Sequence, residues 1–139
     1  MRVYRLNAVG TEVERLHHKY KGSKGVWDQI EQFERLLSND QTQGHSRISN
    51  LHLKRGNIPA SIWKARVLHP QLGGKRSGLR YVYERFAVDG EEYAVALTIY
   101  VHQDDKNESQ IRSLIQKRFS EVEATAEGLR RLESVNFGK

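Results

Sequence analysis

The chain has 139 residues, room for about one domain around one core; with 37% hydrophobic and 29% charged residues, it has no stretch approaching the roughly 20 apolar residues of a membrane span. It contains no cysteine, which excludes disulfides and thiolate metal sites; residues 1–6 lack the apolar run of a secretory signal, so the expected location is the cytoplasm. The formal charge of +6 is uneven: residues 1–40 hold 7 Lys/Arg against 6 Asp/Glu, residues 41–90 hold 9 against 2, and residues 91–139 hold 7 against 9. A concentrated basic middle draws in phosphate backbones, whereas an evenly solvated face is the plainer reading of the same residues.

In chain order, residues 1–6 alternate as a short strand. Thr11, with Glu14 three positions later, forms a capping box that predicts a helix carrying Val13, Leu16 and Tyr20 on one stripe. Gly22 and Gly25 break it. Val26, Ile30, Phe33 and Leu37 recur at helical spacing and predict a second helix, ended by Ser38-Asn39-Asp40. Residues 41–60 lose periodicity and read as a loop carrying His45, Arg47, His52, Lys54 and Arg55.

Strands are expected at 62–68, 79–87 and 92–101, the last two joined by an Asp89-Gly90 hairpin and the first two by a Gly- and Lys/Arg-rich turn at 70–77. A long helix then follows over about 108–134, with Ile111, Leu114, Ile115, Phe119, Val122, Ala126 and Leu129 on one stripe, although Gly128 weakens its final turns.

Alternation along a strand sorts side chains by face. Tyr93, Val95, Leu97, Ile99 and Val101 form one apolar face, expected to pack under the second helix, leaving Tyr100 and His102 on the other. Trp63, Ala65 and Val67 point inward and Lys64 and Arg66 outward. The strand carrying Arg80 is less orderly, and its pattern leaves the side on which Arg80 lies open.

Lys64, Arg66, Arg80, Tyr100 and His102 can thus gather on one surface able to hold a phosphodiester. Guanidinium groups suit a two-pronged clamp on phosphate, and lysine adds a point charge. Histidine titrates near neutrality and suits proton transfer. Tyr83 or Tyr100 can stack on an unpaired base, and Lys54, Arg55, Lys75 and Arg76 extend the basic surface along a phosphate backbone. Each has a plainer role: Lys64 and Arg66 as a solvated strand face, Arg80 in an ion pair with Glu84, His102 held at a strand end by Asp104, and the tyrosines as packing. His17 and His18 point about 100° apart on a helix, and His45, His52 and His69 lack ligand spacing, so neither a metal nor a cofactor is expected.

The helical pair, the Lys64-x-Arg66 strand, the Gly78-x-Arg80-x-x-Tyr83 strand and the apolar strand ending Ile99-Tyr100 together resemble the RelE/ParE superfamily of toxins from type II toxin-antitoxin systems. The resemblance covers about residues 1–118. It implies an α+β fold: a single RelE-like toxin domain over 1–139 with a core of about 1–118, an antiparallel sheet of about four strands, two N-terminal helices packed on one face, and a long C-terminal helical extension over about 108–134. It also implies a growth-inhibiting mRNA interferase, a metal-independent endoribonuclease acting on mRNA at the ribosome, neutralised by a cognate antitoxin, with no membrane partner. Lys64, Arg66, Arg80 and His102 are then the catalytic set. Some members carry a further basic residue where this chain has His102-Gln103-Asp104-Asp105, so acid and base roles do not transfer cleanly. Two alternatives share the scaffold: a ParE-like DNA gyrase poison, and a non-catalytic module binding nucleic acid or a partner.

Overall fold

Long strands and helical stripes in so short a chain must cover one another to hide their apolar faces. The computed structural model describes residues 1–20, 24–49, 51, 53–68, 78–101 and 107–134, and its class is α+β. The elements are β1 (Arg2–Arg5), α1 (Asn7–Lys19), α2 (Lys24–Ser38), β2 (Ser46–Ile48), β3 (Ala60–Leu68), β4 (Gly78–Val88), β5 (Glu91–Val101), α3 (Glu108–Glu121), α4 (Ala126–Arg130) and β6 (Glu133–Ser134). The strands form one sheet ordered β2-β3-β4-β5-β1-β6. It is mixed rather than antiparallel throughout, because β1 runs parallel to β5. The expected loop over 41–60 also contributes a short strand, Ser46 to Ile48 pairing with Lys64 to Ile62.

Local signals survive where tertiary burial agrees with them. Val26, Ile30, Phe33 and Leu37 are buried as the α2 stripe requires. Asp89 (φ 52°) and Gly90 (φ 81°) both take left-handed conformations, the type I′ geometry that matches the twist of a two-residue hairpin. The Thr11 capping box does not form: α1 starts at Asn7, and the Thr11 hydroxyl instead donates to the Asn7 carbonyl within the helix (3.4 Å). The chain turns directly from β1 into α1, with the Leu6 N–H on the Ala96 carbonyl and Leu6 and Val9 buried, so packing rather than a side-chain cap sets the start.

A capping box does open α3, where Asn107 accepts from the Gln110 N–H (2.8 Å) and Gln110 accepts from the Asn107 N–H (3.1 Å). The expected 108–134 helix stops at Glu121, Val122 is extended, and Thr125 caps the short α4. Gly128 approaches so closely that a Cβ there would lie 2.3 Å from the Glu123 Cβ, which explains a glycine inside a helical stripe.

One extra residue divides β5 between two layers. Val82 faces Thr98, but Tyr83 faces Ala96, leaving Leu97 without an opposite number. Ile99 therefore lies with Tyr81 toward α2, whose Phe33 ring is 4.5 Å from that of Tyr81, while Val95 and Tyr93 lie with Glu84 and Phe86 on the opposite face. The expected single apolar face from Tyr93 to Val101 is corrected by this bulge, which reverses parity at its middle. Buried residues of both faces join one core.

Ion pairs tie the helices to the sheet. Arg5 pairs with Glu34, which also accepts from the Tyr81 hydroxyl (2.8 Å). Beyond Ala96, where β1 ends, the margin of β5 is closed by side chains: Glu12 of α1 accepts from the Ile99 N–H (3.4 Å) and the Thr98 hydroxyl (3.1 Å). Arg118 of α3 donates to the Leu97 carbonyl (2.9 Å) and to Glu12 (3.2 Å). No helix among the described residues is long and apolar enough to cross a membrane.

Candidate nucleic-acid interface

Strand register assembles the candidate residues. Arg66 faces Arg80 across β3 and β4, and Arg80 faces Tyr100 across β4 and β5, so the three form a row over three strands. The next row carries Ser46, Lys64, Val82 and Thr98. Alternation along β4 puts Arg80 on the face of Val82 and Glu84, the side that α3 covers. The N-terminal half of α3 stops short of closing over these rows and leaves a groove of about 340 Å³, lined by Ile48, Lys64, Tyr100, Glu108, Ile111, Arg112 and Ile115.

Lys64 and Arg66 are exposed, Tyr100 is half-buried, and Arg80 retains only 7% of its surface. Arg80 Nη1 is buried and has no hydrogen-bond partner among the described residues. Burial, and then the neighbouring Arg66 guanidinium, lower the Arg80 pKa, with Tyr100 acting in the opposite direction. Like charges directly opposite on adjacent strands repel, and a buried donor without an acceptor is costly. An anion offering several oxygens would relieve both. The Tyr100 hydroxyl is pushed up by burial, against the pull of Arg80, and therefore stays protonated as a donor.

The remaining sequence candidates separate. Lys54 is exposed. Arg55 is turned inward: its Nε and Nη2 donate to the two oxygens of Glu84 (3.0 and 2.6 Å), Nη1 to the Val122 carbonyl (2.7 Å) and Nη2 also to the Phe119 carbonyl (2.9 Å). Its guanidinium lies 3.9 Å from the Phe119 ring centroid. Arg55 rather than Arg80 is thus the partner of Glu84, whose pKa burial raises and Arg55 pulls back. The assignment of Tyr83 as a stacking platform is corrected: the ring is fully buried, its hydroxyl is 2.8 Å from His45 Nδ1, and burial pushes its pKa up to about 12. Lys75, Arg76 and His102 lie outside the described residues.

Glu108 and Arg112, an i,i+4 pair 3.8 Å apart, were not singled out by sequence although they line the groove. Their spacing with Ile111 and Ile115 is a helical signal that the apolar stripe alone concealed. Among the described residues no cluster of three His, Asp or Glu side chains is arranged to hold a metal ion. No protein-family model, curated protein or solved structure matches the chain.

Proposed function

We propose that the chain is a RelE-like toxin, an endoribonuclease that cleaves mRNA on the ribosome and is held in check by a cognate antitoxin. The observation that best supports this reading is the Arg66–Arg80–Tyr100 row, with a buried Arg80 donor left over and Lys64 in the adjoining row. A phosphodiester between these groups accepts from both guanidinium groups, Lys64 and the Tyr100 hydroxyl. In the reaction the ribose 2′-oxygen bonds to phosphorus as the bond from phosphorus to the 5′-oxygen breaks. One proton leaves the 2′-hydroxyl, one reaches the departing 5′-oxygen, and the products are a 2′,3′-cyclic phosphate and a 5′-hydroxyl. The cations stabilise charge as it builds on the phosphoryl oxygens, an effect worth about 2.7–4 kcal/mol for one well-placed donor. His102 is the proton-transfer residue proposed from sequence.

The test is RNA cleavage by purified protein, alone and with translating ribosomes, in the presence of EDTA. Cyclic-phosphate ends should form, Arg80→Lys should slow cleavage about 10²-fold or more, and His102→Ala about 10²- to 10⁴-fold. Growth inhibition with intact mRNA and gyrase-linked DNA breaks would instead establish the ParE-like activity.

A further inference from the structure

Strand β3 is longer than the strand that guards its outer edge. β2 pairs with Ile62, Trp63 and Lys64 and begins there, because the turn before it leads away: Gly44 is left-handed (φ 82°) and the His45 N–H bonds back to the Thr42 carbonyl (3.2 Å). Residues 65–68 remain paired with β4 on the inner side, and among the described residues no strand covers them on the outer side. Alternate residues of such a stretch direct their N–H and C=O groups outward, a template for one more strand. Beside it lies an opening of about 940 Å³ between the C-terminal end of α2, the 40–45 turn and Arg66, with Phe33 and Leu36 as its apolar wall. Leu36, 48% exposed, is the one large apolar side chain left open to solvent among the described residues.

We propose that this edge is completed by an extended acidic segment of a partner protein, running in line with β2 and antiparallel to β3. Side chains of a strand alternate between faces, so the segment's pattern follows from that of β3. Ala65 and Val67 are buried on the face of Tyr81 and α2, where the segment's side chains enter the cleft at Phe33 and Leu36 and must be apolar. Lys64 and Arg66 are exposed on the other face, where Asp or Glu complements them. The wider surface favours the same sign: residues 41–90 hold 9 Lys/Arg against 2 Asp/Glu, and Asp40, the carboxylate in the cleft wall, already lies 3.9 Å from the N-terminal ammonium. A second copy of this chain fits poorly, because joining two such edges would set their basic side chains against one another. A carboxylate on Arg66 also withdraws it from the row that it shares with Arg80. In the toxin reading, on which this last step rests, the segment belongs to the antitoxin, and its docking is also inhibition.

The discriminating measurement is an NMR titration of the labelled full chain with three kinds of blocked hexapeptide: alternating leucine and aspartate, alternating leucine and lysine, and the aspartate peptide N-methylated at alternate amides in either register. The aspartate peptide should slow amide exchange within residues 65–68, bind about 10-fold more tightly than the lysine peptide, and weaken as salt rises. One methylated register should lose about 10-fold or more and the other little, since a single row of amides faces β3. Leu36→Asp should weaken binding about 10-fold, and Arg66→Glu should reverse the charge preference. Equal affinity for the two charges, indifference to methylation in both registers, protection away from β3, or a dimer closed through this edge overturns the proposal. RNA cleavage should slow as the aspartate peptide saturates, and cleavage unchanged by bound peptide overturns the inhibition. Peptide capture by a chain that cleaves no RNA leaves the edge standing and refutes the nuclease. Cleavage by a chain that ignores every peptide does the reverse.

Discussion

Replacing Arg55 by alanine strips a wholly buried carboxylate of its counter-charge. Glu84 has no exposed side-chain surface, and both its oxygens accept from Arg55, so Arg55→Ala leaves an uncompensated ion in the core. Breaking one side of such a pair costs about 3–5 kcal/mol. The Phe119 and Val122 carbonyls also lose their donor, which loosens the end of α3. Against a total stability of about 5–15 kcal/mol, the loss is a large fraction. In urea, with a slope of about 1–3 kcal/mol per molar, the midpoint should fall by more than 1 M.

The cost should also depend on pH. Burial already places the folded-state pKa of Glu84 above its ordinary value, and Arg55 limits that rise. Without Arg55 the folded value climbs further, while the unfolded chain still ionises in the usual carboxylate range. Stability is then lost as pH rises from the unfolded value through the folded one, so the penalty is smallest near pH 4 and largest near pH 7. Arg55→Met combined with Glu84→Leu should recover most of the loss, because no buried charge remains. A penalty below about 1 kcal/mol, or one equal at pH 4 and pH 7, would refute the reasoning.

Three further outcomes follow from the same geometry. Tyr81→Phe removes a 2.8 Å hydrogen bond to the Glu34 carboxylate and should cost about 1.5–3 kcal/mol in urea unfolding. The His45 pKa is lowered on folding, so its contribution is complete above the unfolded value of 6.5 and is lost as pH falls through the folded one; stability between pH 7 and pH 5 should decline more in the wild type than in His45→Asn. If RNA lies across the strand rows, Lys64→Ala and Arg66→Ala should each reduce the slope of log affinity against log salt by about 1, measured by fluorescence anisotropy on single-stranded RNA.

Periodicity located elements well where one face alone decides. The α2 stripe and the Asp89-Gly90 hairpin were legible because a few residues force the geometry. The sequence also indicated Lys64 and Arg66, whose exposed positions alternate with the buried Ala65 and Val67. It could not show the bulge at Leu97, since Val95, Leu97 and Ile99 are apolar on either side of the parity change. Arg55 escaped for a related reason. Its composition suggested solvent and RNA, but its partners Glu84, Phe119 and Val122 are brought to it by long-range folding. The side of Arg80 depended on the same three-dimensional register.

The closure of β5 by Glu12 and Arg118 has a consequence during synthesis. Arg118 is made 21 residues after Leu97, about 1–4 s later at ordinary translation rates, and the helix that carries it must still leave the ribosome. Until then the Leu97 carbonyl lacks this cover, and that part of the strand offers another nascent chain a place to pair. Glu12, made long before, can protect the Ile99 N–H first. A ribosome stalled between these two events would therefore hold a chain more prone to aggregate than either the shorter fragment lacking β5 or the finished protein.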